Sequence, residues 1–197
     1  MRRSLFAGIV ALAAMTVAAP GTAAAQGNRR GENYFPNLPV VTQDGKTLKF
    51  YDDVIKGKIV LISFIYTNCQ DICPLTTARL TQVEDELGDI VGREIFFVSV
   101  TVDPERDTPE LLGKYVPAFD PSFIGLYGDA EAIARTAKEF KVFYKKVPGS
   151  SPTNYSVDHT AALYVYDPSG RLRLFAKHAQ GADALAQDIK LLLDQAR

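Results

Sequence analysis

Side chains that bind soft metals are scarce in this chain of 197 residues, which has two cysteines, two histidines and two methionines. Both methionines, Met1 and Met15, belong to an apolar N-terminal segment, so no thioether follows residue 25. A copper or zinc site built by one chain must therefore rely largely on the few remaining soft or borderline ligands, with oxygen atoms or water completing it. These ligands are Cys69, Cys73, His159 and His178.

A large excess of either charge is also absent, with 22 basic and 23 acidic residues. No basic patch stands out, which argues against nucleic acid or an anionic membrane surface as a partner.

Long apolar runs are few, and the N-terminal run "LFAGIVALAAMTVAA" has 15 residues. A bilayer-spanning helix needs about 20. The run follows Arg2 and Arg3 and precedes "GTAAAQ", which is the pattern of a secretory signal.

The N-terminal pattern predicts an exported protein. We expect cleavage after Ala25, and the alternative is an uncleaved anchor that tethers the protein to the inner membrane. A lipoprotein anchor is excluded because no cysteine lies near the cleavage site. Cleavage would leave 172 residues with 20 basic and 23 acidic side chains, a formal charge of −3. That length suits one domain, predicted at 38–197 after a flexible tether at 26–37.

The apolar pattern of the predicted domain indicates strands that alternate with helices. A β-hairpin is predicted to turn at Asp44-Gly45, and "KIVLISFIY" at 58–66 has the composition of a strand buried on both faces. A helix is predicted after the cysteines, ending at Gly88, and another begins at its N-cap Thr108. Further predictions are strands at 94–102, 123–128 and 141–147, a helix capped by Asp129, a polar loop at 148–157, a hairpin turning at 167–170 and a C-terminal helix.

This order of elements predicts an α/β, thioredoxin-like fold. A mixed central sheet is expected to be flanked by helices. A β-hairpin is added at the N-terminus, and an additional helix and strand are inserted between the two halves of the core.

The stretch "FIYTNCQDICPLTTARL", Phe64–Leu80, contains both cysteines four positions apart. Cys69 ends the loop after a predicted strand and Cys73 lies in the first turn of a predicted helix, so both sulfurs can face one point. The N–H groups at a helix N-terminus favour the thiolate, which is both the redox nucleophile and the metal-binding form. A static disulfide would close too small a loop to add much stability. A disulfide, a catalytic dithiol and a metal site all remain open at this point.

His159, in "YSVDHTAALYVYD", is the third candidate ligand. It follows the predicted polar loop and is expected at the mouth of a strand beginning near Thr160, on the edge that faces the cysteine helix. Together with the two thiolates it would form an N,S,S set, which suits Cu(I) and, with another weak ligand, Cu(II) or Zn(II). The alternative is a histidine that only forms hydrogen bonds at a strand end. His178 is predicted to be a surface or capping histidine.

The segment Asp103–Glu110 and the single residue Asp71 each allow a structural and a functional interpretation. In "DPERDTPE", Asp103–Glu110, Thr108 can cap the following helix, while Arg106 and Asp107 could pair across the entrance of the site or meet a partner protein. Asp71, between the cysteines, is expected to cap the helix rather than supply an oxygen to Cu(II).

Four segments, in order and at compatible spacing, resemble the Sco/SenC family of copper proteins. They are "YTNCQDICP" (66–74), "VTVDPERDTPELLGKYV" (100–116), "IGLYGD" (124–129) and "VDHTAALYVYDPSGRL" (157–172). The resemblance implies a thioredoxin-like fold and copper binding by Cys69, Cys73 and His159. It also implies a role in building the binuclear copper centre of cytochrome c oxidase subunit II. The chain departs from the usual family pattern at Asn68 and Gln70, neither of which matches a family ligand.

Two functions from different classes follow. The first is a periplasmic metallochaperone that carries one copper, as Cu(I) or Cu(II), to subunit II or another copper-accepting protein, with other periplasmic copper carriers or thiol reductants as further partners. The second is a dedicated thiol-disulfide oxidoreductase that reduces the cysteines of that copper site, Cys69 attacking and Cys73 resolving. Because a disulfide cannot bind copper, the redox state of this pair would gate metal loading.

A third hypothesis, a thiol peroxidase of the peroxiredoxin kind, is disfavoured by the residues around Cys69. The signature of that family places a threonine three residues before the reactive cysteine, whereas Thr67 is two residues before Cys69. The preceding strand also lacks the upstream proline.

Overall fold

A computed structural model describes residues 34–151, 153–177 and 180–196. Within these ranges the chain forms nine strands and four α-helices. The strands are β1 (Pro39–Thr42), β2 (Thr47–Lys49), β3 (Ile59–Ile65), β4 (Ile95–Thr101), β5 (Ile124–Tyr127), β6 (Tyr144–Ser151), β7 (Asn154–His159), β8 (Ala162–Tyr166) and β9 (Leu172–Lys177). The α-helices are α1 (Ile72–Leu87), α2 (Pro109–Tyr115), α3 (Ala130–Glu139) and α4 (Ala182–Ala196).

Seven of these strands form one mixed sheet in the order β2-β1-β5-β4-β3-β8-β9. The three central strands β3, β4 and β5 run parallel, and β1 and β8 join them antiparallel. All seven residues of β3 are buried, which explains why all of them but Ser63 are apolar, and the Ser63 hydroxyl is hydrogen-bonded to that of Ser99. The carboxyl ends of parallel β3 and β4 lie side by side, so the loop carrying Cys69 and the loop beginning at Asp103 emerge at the same edge of the sheet. This topology confirms the predicted thioredoxin-like α/β fold.

Local signals placed most of the element ends correctly. The hairpin of β1 and β2 turns through Gly45, whose φ of 79° is a conformation that glycine adopts readily. The Thr108 side chain accepts a hydrogen bond from the Leu111 N–H and caps α2, and Asp129 caps α3 in the same way through the Ala132 N–H. Helix α1 ends at Leu87, and Gly88 follows as its C-cap residue.

Packing extends further toward the N-terminus than the predicted domain boundary at residue 38. Phe35 is 3% exposed, and its ring lies against the rings of Phe50, Tyr51, Phe140 and Tyr166. The predicted signal, residues 1–25, and most of the predicted tether lie outside the described residues. Among the described helices, none combines the length and hydropathy that a membrane crossing requires.

The prediction of a polar loop at 148–157 is wrong. These residues contribute to β6 and β7, which pair antiparallel as a separate two-stranded sheet with Tyr144 opposite His159. The register shifts between Pro148 and Ser151, where any side chain at Gly149 would clash with the Asn154 carbonyl oxygen. Seven of the eight β6 residues are exposed, so that strand lacks the alternation of apolar and polar residues that signals a strand, whereas β7 alternates over only six residues.

Candidate metal centre

The two cysteines lie where β3 passes into α1. Cys69 closes a turn in which its N–H donates to the Tyr66 carbonyl oxygen at 3.2 Å, and Cys73 is the second residue of α1. Both are free thiols, with 7% of Cys69 and 2% of Cys73 exposed. Cys69 is thus the more accessible of the pair. The structure contains no disulfide between them.

His159 reaches this pair from the hairpin of β6 and β7. Its Nε2 lies 3.3 Å from Cys73 Sγ, and its Nδ1 lies 3.3 Å from the Thr160 carbonyl oxygen. Because a carbonyl oxygen only accepts hydrogen bonds, we assign the ring proton to Nδ1, which leaves the Nε2 lone pair directed at the sulfur. The His159 and Tyr66 rings pack nearly perpendicular to each other, with ring centroids 5.9 Å apart.

The position of His159 differs in one respect from its prediction. The residue is the last of β7, outside the central sheet, whereas it was expected at the mouth of the strand beginning near Thr160. That strand, β8, begins at Ala162. The predicted meeting with the cysteine helix nevertheless occurs, because β7 leads directly into β8, which pairs with β3.

Burial and hydrogen bonding shift the pKa values of the two thiols in opposite directions. Burial by itself raises the pKa of Cys69, but hydrogen bonds from the Cys73 thiol and from the backbone N–H groups of Asp71 and Cys73 outweigh it and lower that pKa. Burial raises the pKa of Cys73, and its hydrogen bond to Cys69 raises it further. The thiolate of the pair is therefore favoured on Cys69, and the proton stays on Cys73.

The aromatic and imidazole groups around the thiols are neutral. Burial lowers the pKa of His159, although the Thr160 carbonyl and Asp158 act in the opposite direction. Burial raises the pKa of Tyr66 to about 12. The site thus offers two sulfurs, of which Cys69 loses its proton more readily, and one neutral imidazole nitrogen, all of which are competent ligands for a soft metal once the thiols are deprotonated.

Cys73 is the common neighbour of the other two candidate ligands. Its side chain contacts His159 Nε2 and hydrogen-bonds with Cys69. Within the residues that the structure describes, no three His, Cys, Asp or Glu side chains are gathered closely enough to hold a metal ion. A site formed by Cys69, Cys73 and His159 therefore requires their three donor atoms to move closer together.

The Asp103–Glu110 segment has a structural role that is more extensive than capping. Asp103 and Asp107 are both buried, each 1% exposed. Arg106 pairs with Asp103 rather than across the entrance of the site, while Asp107 accepts hydrogen bonds from Thr67 and Thr101. The sequence left a structural and a functional interpretation of this segment open, and it did not reveal which side chains the segment contacts. Burial raises the pKa of Asp107 despite its hydrogen bonds from the two threonines.

The predictions for Asp71 and His178 have different outcomes. Asp71 occupies the N-cap position of α1, but its exposed side chain makes no capping hydrogen bond, so that part of the prediction is wrong. Its backbone conformation, with φ of −122° and ψ of −98°, is not the extended one that usually directs a capping side chain back to the helix. His178 lies outside the described residues.

A groove with a volume of about 690 Å³ opens beside the cysteine loop. Thr67 and Asn68 line it on the side of the cysteines, and Tyr115 and Phe119 line it from α2 and the turn that follows.

Tyr66 and Tyr155 also belong to the surroundings of the site. Nothing in the sequence distinguished them, because their roles depend on contacts between distant segments.

The fold and the site together define a thioredoxin-like protein in which a Cys-x-x-x-Cys pair at a strand-to-helix turn meets a histidine from a separate hairpin. The SCO1/SenC family model matches residues 28–194. The SCO2-like protein of Rickettsia felis is 37% identical over 143 residues, which cover 72% of this chain and 67% of that protein. The chain belongs to the SCO1/SenC family.

Solved structures agree with this assignment. The copper-bound structure of Bradyrhizobium japonicum ScoI is 34% identical, with a TM-score of 0.71, and the match covers 78% of this chain and 96% of that one. The copper-bound structure of Arabidopsis thaliana ScoI is 30% identical, with a TM-score of 0.69 and the same coverage.

Proposed function

We propose that this protein is an exported copper metallochaperone that binds one copper ion through Cys69, Cys73 and His159. The observation that carries the proposal is the 3.3 Å contact between Cys73 Sγ and His159 Nε2, with the imidazole proton held on the opposite nitrogen. A sulfur and an sp² nitrogen lone pair that face each other beside a second sulfur suit a soft cation. The copper-bound relatives support copper as that cation.

The donor set favours Cu(I) and permits Cu(II). Two thiolates and an imidazole form a three-coordinate site, and one further weak ligand would complete a Cu(II) site. Two thiolates with Cu(I) leave a net charge of −1, which the N-terminus of α1 offsets in part. Because Cys69 is the more exposed ligand, we expect exchange with an acceptor to begin at its sulfur.

The acceptor we propose is the binuclear copper centre of cytochrome c oxidase subunit II, reached on the periplasmic side of the inner membrane. Residues 1–25 would direct export, residues 26–37 would link the domain to that segment, and the domain from residue 38 would carry the copper. Other periplasmic copper carriers or thiol reductants would load and reduce the site. The −3 charge expected after cleavage is consistent with a partner other than nucleic acid.

A second candidate function is reduction of the cysteines of that acceptor site. The lowered pKa and greater exposure of Cys69 favour it as the attacking thiolate, and the protonated Cys73 is placed to resolve the mixed disulfide. His159 distinguishes the two functions, because it would bind copper in the first and would only lie beside the thiols in the second. His159→Ala should damage copper binding more than disulfide exchange.

Deletion of the gene, followed by measurement of oxidase activity, tests the proposal in cells. We expect activity to fall and to recover when copper is added, and we expect His159→Ala to complement the deletion poorly. Recovery with a thiol reductant alone, together with full complementation by His159→Ala, would replace copper delivery by thiol reduction. Oxidised protein should bind no copper until the pair is reduced, which gives a matched control in vitro.

A further inference from the structure

We propose that Asp103, Arg106 and Asp107, in the loop after β4, form a joint that positions both halves of the copper site, with Arg106 and Asp107 as positioning residues. Adjacent side chains of this loop hold the cysteine loop on one side and the histidine hairpin on the other. The inference deepens the proposed function and rests on it. It assigns a role to the motif "DPERD", none of whose residues is a proposed ligand.

Asp107 anchors the cysteine half. Both of its carboxylate oxygens accept the Thr67 N–H at 3.2 Å, and the Thr67 hydroxyl donates to Oδ1. The Thr101 hydroxyl, at the end of β4, donates to Oδ2. Thr67 is two residues before Cys69, so this buried carboxylate determines where the cysteine loop leaves the end of β3. An asparagine at this position would replace one acceptor oxygen by an N–H₂ group that faces other donors.

Arg106 and Asp103 anchor the histidine half through Tyr155. Arg106 Nε donates to Asp103 Oδ2 at 2.5 Å, and its Nη1 donates to the Tyr155 carbonyl oxygen at 2.7 Å. The guanidinium also stacks on the Tyr155 ring, 3.6 Å from its centroid, and the Tyr155 hydroxyl donates to Asp103 Oδ1 at 2.7 Å. Tyr155 is four residues before His159 on β7, so the joint fixes the strand that ends in the ligand.

The central sheet holds the hairpin only through the chain that leads from β7 into β8, so side-chain contacts such as those of the joint contribute to its placement. Strands β6 and β7 pair only with each other, and Val157 is the one buried side chain of the two strands. Loss of a partner that orients a metal ligand typically costs 10–100-fold in metal affinity. An exposed ion pair between Lys146 and Glu105 connects the same hairpin and loop, and it provides a matched control because exposed pairs contribute little.

The test compares Arg106→Lys, Asp107→Asn and the control Glu105→Gln. Arg106→Lys keeps the charge but loses the planar fork and the stacking. For each reduced protein, Cu(I) affinity is measured against a competing chelator, and the reduction potential of the cysteine pair is measured without copper. We expect Arg106→Lys to lose about 10–100-fold in Cu(I) affinity at an unchanged potential. Asp107→Asn should change both quantities and Glu105→Gln neither.

A double-mutant cycle shows whether Arg106 acts through the ligand. If it does, Arg106→Lys should cause no further loss of affinity in a His159→Ala background. An equal loss in both backgrounds would overturn the joint. If Arg106→Lys does not fold, Tyr155→Phe, which removes only the hydroxyl that bonds Asp103, replaces it in the same cycle.

A copper-free measurement separates failure of the joint from failure of the proposed function. The NMR signals of the His159 ring in the metal-free protein should shift in Arg106→Lys and stay in place in Glu105→Gln. If the wild-type protein binds no copper, the proposed function fails, and these signals still report on the joint. If Arg106→Lys and Asp107→Asn bind copper as the wild type does, the joint is refuted and the proposed function stands.

Discussion

Cys73 Sγ lies 3.3 Å from His159 Nε2, although 86 positions separate the two residues in the chain. One belongs to the first turn of α1 and the other to a hairpin outside the central sheet. Burial raises the pKa of the thiol and lowers that of the imidazole, so both groups are neutral at their contact. Two neutral donors that face each other are better suited to share a cation than to form an ion pair.

The two thiols should differ in reactivity. Because the pKa of Cys69 is lowered and that of Cys73 is raised, iodoacetamide at pH 7 should modify Cys69 first. Peptide mass spectrometry of the reduced protein over time measures the order. Cys73→Ala should slow the modification of Cys69 by removing a hydrogen-bond donor, and Cys73→Ser, which retains a hydroxyl, should slow it less. Earlier modification of Cys73 would contradict the assignment of the thiolate.

Copper affinity should fall as the pH falls, because Cu(I) displaces the proton of each thiol that is protonated in the free protein. Cys73, with its raised pKa, contributes one proton throughout pH 6–8, and Cys69 contributes a second below its own pKa. The logarithm of the affinity should therefore change by about one to two per pH unit. Competition titrations across this range, corrected for protonation of the chelator, measure the slope.

His159 should add little to that pH dependence. Its pKa is lowered below the ordinary value of 6.5, so the imidazole is already neutral above this pH and releases no proton on binding copper. His159→Ala is expected to lower the affinity at every pH while leaving the slope between pH 7 and 8 unchanged. A flatter slope in this variant would indicate that the imidazole is protonated in the free protein.

Two N-cap residues should differ in their contribution to stability. The Thr108 hydroxyl accepts the Leu111 N–H at 3.3 Å, so Thr108→Ala should lower the free energy of unfolding by about 1 kcal/mol. Asp71 makes no such bond and is exposed, so Asp71→Ala should change it by less than about 0.5 kcal/mol. Urea denaturation of the copper-free, reduced proteins measures both values. A larger loss for Asp71→Ala would reverse this comparison.

Features governed by neighbouring residues could be predicted from the sequence. The turn at Asp44-Gly45, the caps at Thr108 and Asp129 and the buried strand β3 depend on local chemistry or on an apolar run. The order of these elements was enough to predict a mixed central sheet flanked by helices. It also predicted that the cysteines would lie at the end of β3, where a helix begins.

Features governed by distant contacts could not be predicted. Strand β6 is exposed over nearly its whole length, so its sequence lacks strand periodicity, and the position of the β6–β7 hairpin depends on Tyr155 meeting Arg106 and Asp103. The likeness to known copper sites placed His159 with the cysteines. It did not show the Thr160 carbonyl that orients the ring, or the carboxylate of Asp107 that holds the cysteine loop.

Titration of the reduced protein with Cu(I) against a competing chelator tests the central claim most directly. We predict one copper per chain and, in Cys69→Ser, Cys73→Ser and His159→Ala, losses of affinity larger than the 10–100-fold typical of an orienting partner. Wild-type affinity in all three variants would contradict the account.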